Sequence, residues 1–353
     1  MRSASSNSGK GAARLAWGVA AAIALGALGL VAALRTLGPS DERPEIYAIA
    51  GPQPGDLAPG LVDIEDNVRN YGLDVDLPYR FSTNSLGFRG PDPSGTGPLV
   101  LVLGDSFAFG MGVDDGATFS DYLVKVLGER VPGVRVLNAG VPGYTITDQL
   151  DQFRAKLRDL GPALVLVCHT SSDIKEMARP VSFRRLLGHD DEAEGRSDAG
   201  VQRLIDQAGG DKATAVRRYW TFTEEDLRRD AGRGEWPKLA ELDERYVAGA
   251  LALSRSAARV GAKVAFVFWA ETYGLGGGDV TALETALAAV GVPSFRAARA
   301  MLASHGPDRK LYLPDDHFSP LGNEVTAKQV GEWLIETKLV DRASARRTAP
   351  TAP

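Results

Sequence analysis

The sequence predicts an α/β fold: a three-layer sandwich with a parallel sheet of about five strands, a helical insertion and, ahead of both, an N-terminal transmembrane helix. Three observations predict it. The 353 residues are 44% hydrophobic and 24% charged, enough to bury one good core with an insertion. Leu99-Val100-Leu101-Val102-Leu103 is a continuous apolar run, the pattern of a strand covered on both faces. After it, short apolar runs alternate with helical stripes, as strands joined by crossover helices do.

In chain order, the first element is Leu15 to Leu34, an uncharged apolar run between Arg14 and Arg35. At ~1.5 Å per residue, its ~20 residues match the ~30 Å of a hydrocarbon core. Lys10 and Arg14 precede it, so the positive-inside tendency keeps residues 1–14 in the cytoplasm, makes 15–35 a signal anchor and puts the rest outside. The run is longer than a usual cleaved signal and shows no convincing small-x-small cleavage site. Residues 36–97, rich in Pro, Gly and Asp, read as a linker and lead-in. Within them Tyr79 to Gly90 sets turn residues between aromatics, as a small hairpin packed on the domain would.

The main domain is expected over 98–341. Its first strand stops at Gly104, and Phe119, Leu123 and Leu127 then mark one helix face. Val134 to Leu137 reads as the second strand. Thr145 and Asp148 resemble a capping box for a helix with Leu150, Phe153, Leu157 and Leu160 as its stripe, ended by Gly161-Pro162. Ala163 to Cys168, Val264 to Trp269 and Val292 to Phe295 follow as the remaining strands. The connection before Val264 is far longer than a crossover needs. Leu239, Leu242, Tyr246, Val247 and Leu251 predict the crossover helix, and about 174–238 a helical insertion overhanging the carboxyl ends of the strands, where such sheets bind ligands. Ser319-Pro320 starts a last helix with Leu321, Val325, Val330 and Leu334 toward the sheet, and 342–353 reads as a disordered tail.

Charge and cysteine content narrow the function. The formal net charge is -5, and every charge up to Arg35 is positive, so the remainder is more acidic still and argues against a nucleic-acid partner. Cys168, the single cysteine, excludes an internal disulfide framework and a multi-cysteine metal site.

A serine nucleophile needs exposure at a strand end, an imidazole to take its proton, and donors for the oxyanion. Ser106, just past the first strand, has the first, because the turn allowed by Gly104 presents its hydroxyl at the carboxyl edge of the sheet. Of four histidines, His317 lies in Leu313-Pro314-Asp315-Asp316-His317, where a carboxylate two residues earlier can orient Nδ1 while Nε2 faces a nucleophile. His189 and His305 read as solvent-exposed, and His169 as a satisfied structural histidine.

With these residues in hand, the chain resembles the SGNH/GDSL hydrolase superfamily over about Pro98 to Val340. Gly104-Asp105-Ser106 matches its serine block, Asn138 to Gly143 its second block, and Asp315 with His317 its last. The resemblance implies a flavodoxin-like sandwich and a catalytic Ser106, Asp315 and His317, with the amides of Ser106 and Gly143 in the oxyanion hole. It implies no cofactor and no metal. Two departures stand out. Thr170-Ser171-Ser172-Asp173 occupies the place of Gly-x-Asn-Asp, so Ser172 takes the oxyanion position of the family's asparagine. Pro314 stands where many relatives carry the aspartate, which leaves Asp315 as first choice and Asp316 as fallback.

The implied activity is a serine esterase or O-acyl transferase acting outside the cytoplasm through an acyl-serine. Its expected partners are membrane lipid, through the N-terminal helix, and an ester substrate such as an acylated cell-surface glycan. Three rivals are weighed against it. A Cys168–His169 thiol pair fails because neighbouring strand residues face opposite ways. A metal phosphoesterase would use Asp105, Asp315, Asp316 and His317. A degenerate domain serving as a glycan-binding or assembly module is motivated by Ser172.

Overall fold

The computed structural model describes residues 57–71, 75–93, 95–179, 198–210, 214–215, 224–230, 232–233, 236–238, 241–270, 272–273 and 278–341. The apolar run Leu15 to Leu34, Leu239, the tail 342–353 and much of the insertion lie outside them. Among the described residues no helix is long and apolar enough to cross a membrane.

The lead-in begins with an antiparallel pair, β1 (Ile64–Asn67) and β2 (Pro78–Phe81). The aromatic residues expected to pack do so: Tyr79 and Phe81 are buried with Leu57, Val68, Phe109 and Met111 in a small core of their own. Thr83 and Arg89 then face each other across a tight turn, in which the Asn84 carboxamide oxygen accepts the N–H groups of Leu86 and Phe88 at 3.0 Å each.

The sheet is built from β3 (Leu99–Leu103), β4 (Arg135–Asn138), β5 (Leu164–His169), β6 (Lys263–Phe268) and, after a minor pair β7 (Thr272–Tyr273) and β8 (Gly278–Asp279), β9 (Ser294–Arg296). Its order is β4-β3-β5-β6-β9, all parallel. The expected strands are all present, the four after β3 displaced by one or two residues at their ends. The side-chain period of two divides β3 cleanly: Leu99, Leu101 and Leu103 enter one core, Val100 and Val102 the other.

The helices are α1 (Ser106–Phe109), α2 (Phe119–Gly128), α3 (Ile146–Gln152), α4 (Ser172–Met177), α5 (Asp198–Gln207), α6 (Glu224–Asp230), α7 (Leu242–Arg259), α8 (Thr281–Ala289), α9 (Ala297–His305) and α10 (Pro320–Glu336). α2, α9 and α10 cover one face of the sheet; α3, α7 and α8 cover the other. The crossovers from β3 to β4 and from β4 to β5 thus run on opposite faces. That places the crevice of the fold at the carboxyl ends of β3 and β5.

Two expectations change. The helix after Thr145 is not regular to Leu160: α3 passes into a π-helical turn, Phe153–Leu157, and a 3-10 turn, Arg158–Leu160. The wide turn keeps both Phe153 and Leu157 fully buried before Gly161 ends the segment. On α10, Leu321 is 41% exposed, because the inward face runs through Asn323, Thr326, Ala327, Val330 and Leu334. Of the insertion, Leu204, Ala215, Leu227 and Trp236 join the core on the α3 and α7 side.

Candidate active site

Ser106 opens α1, a single turn that the residue before it caps: Asp105 Oδ1 accepts the Phe107 N–H at 3.0 Å. Gly104 lets that turn settle onto β5, since a Cβ there would lie 2.7 Å from Ala108 Cβ and 3.1 Å from the Cys168 carbonyl oxygen. The serine hydroxyl therefore sits at the carboxyl end of a fully buried strand.

The opposing side chain comes from the loop before α10. Tyr312 and Phe318 pair across it, and the Leu313 N–H donates to the His317 carbonyl at 2.7 Å. Pro314, Asp315 and Asp316 make a three-residue hairpin loop whose last member has φ 71°, the left-handed position such loops require. The same turn separates the two carboxylates. Asp316 points into solvent and pairs with Arg309, while Asp315 lies beneath the imidazole with its side chain 1% exposed. Asp315, and not Asp316, is thus the carboxylate brought to His317.

His317 Nδ1 is 2.7 Å from Asp315 Oδ2 and its Nε2 is 2.7 Å from Ser106 Oγ. One proton assignment serves both contacts: Nδ1–H donates to Asp315, and Nε2 accepts the serine proton. Burial raises the Asp315 carboxyl, but the hydrogen bond and charge of His317 outweigh it and hold the group below its usual value. The imidazole leans on Phe107, ring centroids 4.6 Å apart, and Trp269 and Phe318 pack behind that ring.

Gly143 lies in the turn after β4, where the Tyr144 N–H donates to the Val141 carbonyl at 3.0 Å. With Pro142 at the second position and Gly143 at φ 77°, the sequence suits a turn that only glycine adopts without strain. Arg179, paired with Glu176 at 3.3 Å, donates to the Gly143 carbonyl at 3.2 Å.

Ser172 has polar partners of its own. Its hydroxyl lies 2.8 Å from Asp105 Oδ2, which also receives the Thr170 hydroxyl at 2.7 Å. The two hydroxyls are 2.7 Å apart and either can donate to the other, so Ser172 is engaged with both Asp105 and Thr170. Ser172→Ala is accordingly expected to lower kcat on a short p-nitrophenyl ester by less than about tenfold, whereas loss of a true oxyanion donor costs about 10²- to 10³-fold. Steady-state kinetics on the folded variant separates the two.

The rival residues have other partners. Cys168 is buried against the α1 side, and burial, reinforced by the charges of Asp105 and Asp173, pushes its thiol well above the usual value. His169 is buried on the opposite face, its Nδ1 2.8 Å from Tyr246 Oη and 2.9 Å from Asp173 Oδ2, so it is the structural histidine its position suggests. His305 is exposed and His189 lies outside the described residues. Asp105 faces Thr170 and Ser172, and Asp316 faces Arg309, so these carboxylates do not converge with His317 on one point.

Asp105 as a junction, Thr170 and Arg179 were not singled out by the sequence. Asp105 and Thr170 lie inside the matched blocks without these roles, and Arg179 carries no sequence signal.

The GDSL-like Lipase/Acylhydrolase family model matches residues 102–325, more than half of the chain. No curated protein sequence matches. Among solved structures, the chain is similar to a catalytic mutant of an acetylxylan esterase from Geobacillus stearothermophilus, at 13% identity over 69% of this chain and 96% of that one, with a TM-score of 0.39. It is also similar to a lipase/acylhydrolase from Enterococcus faecalis, at 15% identity over 72% and 100%, TM-score 0.38. A structure of TesA is similar at 16% identity over 69% and 99%, TM-score 0.38. Likenesses this distant carry no argument about function, and the family model alone makes the assignment. The matched span starts within β3 and runs past His317 into α10, so it includes Ser106, Asp315 and His317: the chain belongs to the GDSL-like lipase/acylhydrolase family.

Proposed function

We propose that this protein is a serine esterase or O-acyl transferase that works outside the cytoplasm, on acylated cell-surface glycans, through an acyl-Ser106 intermediate. The observation that carries the reading is the continuous hydrogen-bonded chain from Ser106 Oγ through His317 to Asp315, both contacts 2.7 Å. His317 Nε2 takes the serine proton as Oγ attacks the ester carbonyl carbon. The amides of Ser106 and Gly143 hold the oxyanion. Collapse breaks the bond to the alkoxide, which leaves with the proton from His317, and the acyl group stays on Ser106. Water or an acceptor alcohol then repeats the sequence in reverse. Asp315 keeps the proton on Nδ1 throughout, so Nε2 remains the working base.

The location is supported by the apolar run Leu15 to Leu34 and its basic N-terminal flank. The glycan substrate is inferred from that location. One experiment tests activity and location together. Spheroplasts producing the full-length chain are treated with a charged, membrane-impermeant fluorophosphonate before and after lysis, and the labelled peptide is sequenced. Labelling of Ser106 in intact spheroplasts is expected. Labelling only after lysis overturns the location, and a folded protein that never labels overturns the enzymatic reading.

A further inference from the structure

The nucleophile's helix is held at both ends. Asp105 caps its start, within the family's own span. Its far end is held by Arg89, thirteen residues before that span begins at 102 (102 minus 89). The Arg89 side chain is 1% exposed. Its Nη1 donates to the Gly110 carbonyl at 2.6 Å and the Phe109 carbonyl at 3.2 Å, the last carbonyls of α1. Nη2 donates to the Val113 carbonyl at 2.6 Å and more weakly to that of Arg80 at 3.4 Å, while Nε meets Asp115 Oδ1 at 3.1 Å. The guanidinium carbon lies 4.8 Å from the centre of the Phe109 ring, 5.7 Å from Phe81 and 5.9 Å from Tyr79.

The Asn138 side-chain N–H also donates to the Phe109 carbonyl, at 3.2 Å, and the backbone of Arg89 pairs with that of Asn138. The contacts converge on one object. A four-residue helix has too few internal bonds to fix its own orientation. The Ser106 carbonyl accepts the N–H groups of Gly110 and Met111 at 3.0 Å each, so whatever fixes 109–111 also fixes Ser106. A buried cation at the helix's C-terminal carbonyls meets its negative dipole end as well.

We infer that the lead-in is a working part of the active site, with Arg89 as a positioning residue that sets the angle of α1 and thereby the reach of Ser106 Oγ to His317. This rests on the reading of Ser106 as nucleophile. Arg89 touches no reacting atom and acts only through α1. A fixed planar fork can hold the Gly110, Phe109 and Val113 carbonyls together, which a lysine ammonium cannot do.

The test uses the purified full-length chain, p-nitrophenyl acetate kinetics and the rate of fluorophosphonate labelling, each measured well below the variant's own Tm. Arg89→Met is expected to lower kcat and the labelling rate about 10- to 100-fold with KM within about twofold, the size of effect a displaced nucleophile produces. Arg89→Lys should fall between Met and wild type. Arg80→Met removes exposed pairs to Asp63 and Glu65 on the same hairpin and should leave kcat unchanged. A folded Arg89→Met with wild-type kcat and a lowered Tm would mean that Arg89 only stabilises, and overturns the inference. If Met at 89 does not fold, Lys decides: wild-type kcat in a folded Arg89→Lys overturns it, a reduced kcat at unchanged KM supports it, and failure of both to fold overturns it in favour of a purely structural role. An unlabelled wild type brings down the reading of Ser106 first, and is thereby told apart from an active wild type with an equally active Arg89→Met.

Discussion

Ser106→Ala and His317→Ala are each expected to lower kcat by about 10⁶-fold, and the double variant by no more than either alone. The reason is geometric. Ser106 Oγ is 2.7 Å from Nε2, so nucleophile and base form one device, and removing either half removes all of it. Residual turnover would come from the remaining oxyanion donors and from binding. Additive losses in the double variant would show that the two side chains act separately. The assay is steady-state hydrolysis of a p-nitrophenyl ester, with active-site titration to exclude wild-type contamination.

Asp315→Asn is expected to lower kcat by about 10⁴-fold with little change in Tm. Asp315 accepts twice from His317, through Oδ2 from the ring at 2.7 Å and through Oδ1 from the backbone N–H at 3.3 Å. A carboxamide has a single acceptor oxygen, so its NH₂ must confront one of these donors. When it faces the ring, Nδ1 becomes the acceptor and the proton moves to Nε2, which can then no longer take one from Ser106. Asp316→Asn supplies the control. Its left-handed backbone suits asparagine and its partner Arg309 is exposed, so kcat should stay within about twofold. Equal losses at 315 and 316 would mean that the loop, rather than the carboxylate, is what matters.

Much of this site is legible in the sequence because it is local. Asp315 and His317 share one hairpin loop, although the choice between Asp315 and Asp316 comes from the left-handed turn that the structure shows at Asp316. β3 is readable because a strand covered on both faces is apolar throughout. Ser172 reads differently in three dimensions, since its acceptor, Asp105, lies 67 residues away on another strand end and no spacing rule reports it. Arg89 was hidden for the same reason: within YRFSTNSLGFRG it looks like one polar residue of a surface hairpin, and only the fold brings the α1 carbonyls over it. Leu321 shows the converse error. An apolar residue near the right period predicts an inner-face position, but the small residues Gly322 and Gly331 mark where α10 approaches its neighbours, with Val126 close to the latter.

The long reach of the Ser106–His317 pair also bears on how this chain matures. Its two members are 211 residues apart, separated by the whole sheet beyond β3, the insertion and the loop before α10. Contacts of such high sequence separation form late, after loop-closure entropy has been overcome by most of the core. A chain emerging from synthesis therefore carries an exposed Ser106 with no base beside it. Acylation becomes possible only once α10 docks, so the appearance of labelling during refolding would time the last step of assembly and not the first collapse.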